Sequence, residues 1–139
     1  MTAAELIARE EGFVPHAYKD HLGYLTIGHG ILIDEKKGGG ITREESLWIL
    51  RRRLRVIGEE FDDLIPWWQD LNRARKAVLL SMAYQMGIRG VMKFRNTLRA
   101  MEEGDYARAA RGMRASLWAR QTPGRAERAS RAMESGRLT

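Results

Sequence analysis

The first quarter of the chain changes from a helical to a strand-like pattern of apolar residues. Apolar residues at helical spacing are Ala3, Leu6 and Ile7. Thr2 and Glu5 form a capping box at the start of this segment, and Gly12 predicts its end. Over residues 13–33, glycines interrupt short runs rich in aromatic and β-branched residues. The combined pattern predicts a short helix followed by a small antiparallel sheet.

The pattern then becomes helical and stays so. After a flexible glycine turn at residues 38–40, Thr42 and Glu45 form a second capping box. The long helix that this box opens has apolar residues at Leu47, Leu50, Leu54, Ile57 and Phe61. Pro66 interrupts the pattern, so a new segment is predicted after it.

Four shorter helices are predicted in the second half of the chain. They cover residues 74–86, 94–103 and 106–114, and a last one begins at Pro123. Asn72 and Asp105 are suited to cap two of them, and Gly87 is a natural stop for the first. The Thr122 hydroxyl is placed to cap the last helix, which has proline at its first position.

Composition indicates a protein that folds around a core without covalent cross-links. The chain has 139 residues, of which 44% are hydrophobic, and no cysteine. This length suits one domain, and the lack of cysteine excludes disulfides and thiolate chemistry. The formal charge of +6, from 24 basic and 18 acidic residues, makes polyanions candidate partners.

The N-terminal segment has the pattern of an amphipathic helix and not that of a signal peptide. The longest apolar stretches are also too short to cross a bilayer. We therefore expect the protein to be made and folded in the cytosol.

Two acidic residues and a threonine lie close together near the start of the chain: Glu11, Asp20 and Thr26. Hydrolysis of a glycosidic bond needs a carboxylic acid and a carboxylate on opposite sides of a sugar, with a positioned water. Each residue alone has an ordinary explanation, as a solvated acid, a turn aspartate or a strand threonine. Local sequence also does not separate Glu10 from Glu11.

The segments around these residues resemble the phage-type muramidases of glycoside hydrolase family 24. The N-terminal motifs are Glu-Gly at 11–12, Tyr-Lys-Asp at 18–20 and Gly-Tyr-Leu-Thr-Ile-Gly at 23–28. Ser-Met-Ala-Tyr-Gln-Met-Gly follows at 81–87, Phe-Arg-Asn-Thr-Leu-Arg at 94–99 and Trp-Ala-Arg-Gln-Thr-Pro-Gly-Arg-Ala-Glu-Arg at 118–128. The resemblance covers nearly the whole chain, with the motifs in the family's order.

The resemblance implies an α+β, lysozyme-like, two-lobed fold. The fold would be mostly helical, with a small antiparallel β-sheet in the N-terminal lobe. We expect a single domain over residues 1–139. Residues 1–12 and 61–139 would form the helical lobe, and residues 13–60 would form the small β lobe and the connecting helix.

Roles for individual residues follow from the same resemblance. Glu11 would protonate the departing glycosidic oxygen, Asp20 would activate the attacking water, and Thr26 would position that water. Attack from the far face implies inversion at the anomeric carbon. Positions that line the family's sugar-binding cleft are matched by Leu32, Tyr84, Gln85 and Thr97. Arg125 matches the arginine that pairs with the catalytic glutamate.

Core packing is an equally good explanation for two of the cleft residues, Leu32 and Tyr84. Two positions also depart from the family pattern. The family usually ends its glycine motif with histidine, whereas this chain has Ile31 after Gly30 and its histidine at His29. We expect that change to alter the stability of the β lobe and not the chemistry. Gly112 stands where some relatives offer a polar side chain to the sugar.

The implied protein is an endolysin. It would hydrolyse the β-1,4 bond between N-acetylmuramic acid and N-acetylglucosamine in peptidoglycan. A separate membrane-permeabilising protein would release it from the host cytoplasm to the cell wall. No metal or organic cofactor is expected, because two carboxyl groups suffice for acid–base chemistry. We expect a monomer with no nucleic-acid partner.

Other classes of protein compete with this interpretation. A lytic transglycosylase cleaves the same bond with one acid, so Asp20 favours hydrolysis over it. A basic, helical nucleic-acid-binding protein is the alternative from another class, although acidic residues interleave with the arginines. The arginine-rich last helix is a candidate contact for anionic lipid or lipopolysaccharide. The histidines near Asp20, at His16, His21 and His29, match no metal-site spacing.

Overall fold

The structure, a computed structural model, describes residues 1–139. They form two compact units, Met1–Ile49 and Leu50–Thr139. The α+β class and the small antiparallel sheet are confirmed. The first helix falls in the same unit as the sheet. Its expected membership of a helical lobe with residues 61–139 stays a prediction.

The first unit consists of one helix and a three-stranded sheet. Its elements are α1 (Ala3–Glu11), β1 (Val14–Lys19), β2 (Leu25–Gly28), β3 (Ile31–Leu32) and a 3₁₀ turn, Glu35–Lys37. The capping box of α1 is formed as predicted: the Glu5 amide donates to the Thr2 hydroxyl at 3.1 Å, and the Thr2 amide donates to the Glu5 carboxylate at 2.7 Å. The helix therefore has a defined start, and Gly12 ends it.

The sheet has the strand order β1-β2-β3, with both pairs antiparallel. The middle strand places Thr26 opposite Tyr18 on one side and Leu32 on the other. A register shift lies between Val14 and Tyr18. Pro15 falls in that stretch and has no amide hydrogen for the ladder, which suits an edge strand with an irregularity.

A long helix, α2 (Arg43–Leu64), begins in the first unit and ends in the second. Its predicted capping box is confirmed, because the Glu45 amide donates to the Thr42 hydroxyl at 3.0 Å and the Thr42 amide donates to the Glu45 carboxylate at 2.8 Å. That second bond is the main cause of a lowered pKa at Glu45. After α2, a short 3₁₀ helix begins at Pro66.

The second unit is helical. Its helices are α3 (Arg73–Met92), α4 (Arg95–Glu102), α5 (Tyr106–Arg114), α6 (Leu117–Gln121) and α7 (Pro123–Ser135). Large side chains that are fully buried in its core are Phe61, Leu79, Met82, Val91, Met101, Met113 and Met133. Methionine is flexible and fills irregular gaps between helices, which suits such a core. Each helix is too short or too polar to span a bilayer.

Two sequence predictions for this unit need correction, and one helix was missed. Gly87 leaves helical geometry, with φ 79° and ψ 161°, but helical turns resume beyond it as far as Met92. Helix α6 was not predicted. The predicted Thr122 cap is wrong: Thr122 makes no side-chain cap bond to α7, and its hydroxyl donates to the Trp118 carbonyl at 3.1 Å. Thr122 is also the residue that ends α6, so its hydroxyl satisfies a carbonyl at the end of that helix.

A latch joins the start of α3 to the end of α7. It consists of Asn72 and Arg75, which donate to backbone carbonyls of residues 133–136. The Arg75 guanidinium donates to Met133 at 2.8 Å and to Glu134 at 3.1 Å, and the Asn72 amide donates to Gly136 at 3.0 Å. The guanidinium also stacks on the Tyr106 ring, 3.5 Å from its centroid. The latch therefore satisfies carbonyls at a helix end that have no partner within the helix.

We expect Arg75→Leu to lower the free energy of unfolding by about 2–3 kcal/mol, because charge-assisted hydrogen bonds and a cation–π contact are lost together. The midpoint of urea denaturation is the measurement. Arg73→Leu is the matched control, since Arg73 lies on the same helix, is exposed and makes no side-chain hydrogen bond. Equal midpoints for the two variants would show that the latch contributes nothing to stability.

Candidate active site

Glu11 is the last residue of α1, and its carboxyl group lies against Gly30. Gly30 belongs to the turn between β2 and β3 and has φ 70°. A side-chain carbon at position 30 would collide with the Glu11 carboxylate oxygen and would lie 2.7 Å from its carboxyl carbon. Only glycine combines this φ with such a close approach. The structure thus brings the predicted acid onto the hairpin that carries Thr26.

The structure separates Glu11 from its neighbour Glu10, which local sequence did not. Glu10 has a side chain that is 67% exposed and pairs with Arg9 at 3.4 Å. Exposed ion pairs of this kind contribute little to the free energy of folding. Both residues are exposed, but only the Glu11 carboxyl group lies against the hairpin, at Gly30.

Asp20 lies in the loop between β1 and β2. One of its carboxylate oxygens, Oδ1, accepts the amide hydrogens of Leu22 and Tyr24, both at 2.9 Å. Mainly because of the Tyr24 amide, the pKa of Asp20 is lowered from its ordinary value. The group is thus held as a carboxylate, and its other oxygen, Oδ2, makes no hydrogen bond within the protein.

Thr26 occupies the middle of β2 and is only 4% exposed. No other side chain in Met1–Ile49 is as deeply buried. Its hydroxyl donates to the Tyr24 carbonyl at 3.1 Å. Because the hydroxyl hydrogen is used in that bond, the oxygen presents lone pairs, which accept a hydrogen from water. This arrangement can orient a water molecule.

Leu32 ends the sheet opposite Thr26 and is half-buried. Its carbonyl accepts the Gly40 amide hydrogen at 3.1 Å. The backbone of Gly39 passes so close that a side-chain carbon there would lie 2.9 Å from the Leu32 side chain. The glycine run at residues 38–40, predicted as a flexible turn, therefore packs against the end of β3.

The other predicted site residues belong to the second unit. Tyr84 is 51% exposed, so core packing does not explain it. Gln85 accepts from the Trp118 indole at 2.9 Å, and its amide nitrogen lies 3.5 Å from the Thr122 hydroxyl. These bonds fix the orientation of the Gln85 side chain. Trp118 therefore supports Gln85, a role that the sequence motif around Trp118 does not indicate.

Thr97 is only 5% exposed and lies against Gly112. A side-chain carbon at position 112 would collide with the Thr97 hydroxyl. Gly112 therefore makes room for Thr97, which accounts for glycine at this departure from the family pattern.

Arg125 donates to the Ser81 carbonyl at 3.1 Å and to its hydroxyl at 3.0 Å. The expected pairing of Arg125 with Glu11 stays a prediction, as do the substrate contacts of Leu32, Tyr84, Gln85 and Thr97.

Comparison with known proteins identifies the family of this chain. A family model described as phage lysozyme matches residues 8–132. The chain belongs to the phage lysozyme family. The resemblance identified from the sequence motifs is therefore confirmed, and the chain is a lysozyme-type glycosidase that hydrolyses cell-wall material.

Three relatives illustrate the range of the phage lysozyme family. The pre-baseplate central spike protein Gp5 of Enterobacteria phage T4 is 35% identical over 99% of this chain and 28% of its own length. Probable T4-type lysozyme 1 of Dictyostelium discoideum is 30% identical, over 96% of this chain and 94% of its own. Peptidoglycan hydrolase gp36 of Pseudomonas phage phiKMV is 31% identical, over 87% of this chain and 14% of its own length. The chain thus spans a small part of the two phage proteins and nearly all of the Dictyostelium lysozyme.

Proposed function

We propose that this phage lysozyme family member is a muramidase. It hydrolyses the β-1,4 bond between N-acetylmuramic acid and N-acetylglucosamine in peptidoglycan. The observation that carries the proposal is the Asp20 carboxylate, held ionised by two backbone amides and with one oxygen free. A second carboxylate of this kind is what water-mediated hydrolysis requires and what a one-acid reaction does not. A relative named as a peptidoglycan hydrolase supports the choice of substrate.

The reaction follows from the three side chains of the first unit. Glu11 donates its proton to the glycosidic oxygen as the bond from that oxygen to the anomeric carbon breaks. Water attacks the anomeric carbon from the opposite face and gives up a proton to Asp20. The Thr26 hydroxyl accepts a hydrogen bond from this water and sets its orientation. Attack by water without a covalent intermediate inverts the configuration of the anomeric carbon.

The biological role that we propose is phage-driven lysis of the host. Two of the relatives are phage proteins. The enzyme would accumulate in the host cytoplasm, and a separate membrane-permeabilising protein would give it access to the cell wall. It would act there as a monomer without a metal or an organic cofactor.

Mass spectrometry of soluble fragments from digested peptidoglycan tests the proposed reaction. Fragments that end in reducing N-acetylmuramic acid are expected. Product ends that lack one water, as in anhydro-muramic acid, would identify a transglycosylase and overturn the role of Asp20.

Proton NMR of a chitooligosaccharide or glycan digest, recorded within the first minutes, would show the α anomer if the reaction inverts. An initial β anomer would contradict the proposed path of the water.

We expect contact with anionic lipid, for which α7 is a candidate, to be electrostatic and to occur without insertion into the membrane. Ala126, Ala132 and Met133 on α7 are buried in the second unit, so they are not free to enter a membrane. The same unit nevertheless carries 19 of the 24 basic residues. We therefore expect adsorption to vesicles of anionic lipid at low salt that disappears as ionic strength rises. Co-sedimentation that persists in high salt would contradict a purely electrostatic contact.

A further inference from the structure

The C-terminal end of α1 is not held in place by contacts within the helix alone. Glu11 is the terminal residue of the helix, and no residue of α1 is buried. Helix ends fray unless caps or packing hold them. The Gly12 amide donates to the Ala8 carbonyl at 2.9 Å, but this bond lies within the same short helix. The direction of the Glu11 side chain is therefore not determined by α1 alone.

His29 supplies a bond from outside the helix. Its ring nitrogen Nδ1 lies 2.8 Å from the Gly12 carbonyl oxygen, across 17 residues of sequence. A carbonyl oxygen can only accept, so Nδ1 must carry the hydrogen of this bond. The contact therefore fixes the His29 tautomer as well as the position of the peptide that follows Glu11.

Two more contacts join the same turn to the same stretch of chain. The rings of Phe13 and His29 are tilted by 47° with their centroids 5.2 Å apart. Gly30 lies against the Glu11 carboxyl group. Three consecutive residues, 11–13, are thus held by two consecutive residues of the β2–β3 turn.

The turn is suited to hold its histidine in one place. Gly28 and Gly30, on either side of His29, have φ values of 66° and 70°. Glycine adopts these angles without strain, whereas His29 keeps the ordinary negative φ. The tight turn is also part of the antiparallel pair of β2 and β3. The imidazole is thus presented from the sheet toward the end of α1.

We propose that His29 is a positioning residue for the general acid: through its hydrogen bond to Gly12, it fixes the end of α1 so that the Glu11 carboxyl group points toward the glycosidic oxygen. The inference rests on the proposed role of Glu11. It gives His29 a part in turnover, beyond the effect on stability that its sequence position predicts.

The test compares two substitutions at position 29. His29→Leu places an apolar side chain beside Phe13 and removes the donor. His29→Asn places an amide N–H near the position of Nδ1. Because misplacement of a catalytic group by about 1 Å costs up to ~10²-fold, we expect His29→Leu to lower kcat about 10-fold with little change in KM. His29→Asn should restore kcat to within about threefold of the unmodified enzyme.

Several results would overturn the inference. These are unchanged kcat in His29→Leu, an equal loss of kcat in the leucine and asparagine variants, or a loss confined to KM. His16→Leu is the control, because His16 is exposed on β1 and makes no side-chain hydrogen bond. Circular dichroism establishes that each variant is folded. If His29→Leu does not fold, His29→Ala takes its place in the comparison.

A spectroscopic measurement tests the contact without reference to activity. The ¹⁵N chemical shifts of the His29 ring should show Nδ1 protonated at neutral pH, and a neutral ring with the hydrogen on Nε2 would overturn the inference. The two proposals also fail separately. An active Glu11→Gln variant would refute the proposed acid, whereas an inactive Glu11→Gln with a fully active His29→Leu would refute only the role of His29.

Discussion

Glu11→Gln should lower kcat/KM by about 10³-fold, and the variant should remain folded. General acid catalysis contributes ~10²–10⁴-fold, and a glutamine amide has no proton of suitable acidity to give the leaving oxygen. The amide has nearly the same size as the carboxyl group, so the close approach to Gly30 is preserved. The measurement is the rate of release of soluble fragments from purified peptidoglycan, with circular dichroism as the test of folding.

Glu10→Gln is the matched control for this prediction. The two residues are adjacent, have the same side chain and are both exposed, but Glu10 pairs with Arg9 and only Glu11 lies against Gly30. Its substitution should leave turnover within about twofold of the unmodified enzyme, as expected for a surface ion pair of little energetic weight. The assignment of the acid would be wrong if Glu10→Gln lost activity while Glu11→Gln kept it.

Asp20→Asn is expected to lower kcat/KM by about 10²–10³-fold, nearly as much as Glu11→Gln, because the charge that stabilises the transition state is removed. The asparagine carbonyl oxygen can still accept the amide hydrogens of Leu22 and Tyr24. The loop should therefore keep its shape, and the loss of rate should report on the charge. An Asp20→Asn variant with more than a tenth of the normal rate would contradict the role of the carboxylate.

Asp34→Asn provides a contrast within the same unit. Asp34 also accepts backbone amides, but it uses both oxygens: one accepts from Lys36 and the other from Leu25, each at 2.9 Å. An asparagine can replace only one of these acceptors, so this variant should be less stable. Its turnover should stay near normal at temperatures where it is folded. Loss of turnover in folded Asp34→Asn would show that a carboxylate other than Asp20 takes part.

The pH dependence of Asp20 has a defined sign. Its pKa is lowered in the folded protein, so the carboxylate persists as pH falls below the ordinary aspartate range. Its contribution to stability is present above the unfolded pKa and is lost as pH falls through the lowered one. The acid limb of the activity profile should accordingly lie below the ordinary aspartate pKa, and Asp20→Asn should remove this limb from what activity remains.

Sequence patterns predicted those parts of the fold that depend on local bonding. The capping boxes at Thr2 and Thr42 are formed with the expected partners, and the Asp105 cap begins α5 as predicted. Each of these caps involves residues three positions apart, so the sequence contains all the necessary information. Thr122 failed for a non-local reason: its hydroxyl donates to the Trp118 carbonyl of α6 and lies 3.5 Å from the Gln85 amide nitrogen of α3, and it makes no bond to an amide of α7.

The candidate site could be predicted only in part. The positions of Glu11, Asp20 and Thr26 were recognisable from motifs, but the choice of Glu11 over Glu10 came from resemblance alone. The physical distinction is the contact with Gly30, which lies 19 residues away in sequence and depends on the sheet. The bond from His29 to Gly12 is equally non-local. No pattern of neighbouring residues encodes such contacts.

The latch between α3 and α7 has a consequence for how freely the sequence can vary. Asn72 and Arg75 bind main-chain carbonyls, which every residue possesses, and not the side chains of residues 134–136. Substitutions at positions 134 and 135 should therefore be tolerated, whereas positions 72 and 75 should accept few replacements. A saturation library of positions 72, 75, 134 and 135, selected for folded protein, should show this asymmetry between the side chains that donate and the residues that offer only a carbonyl.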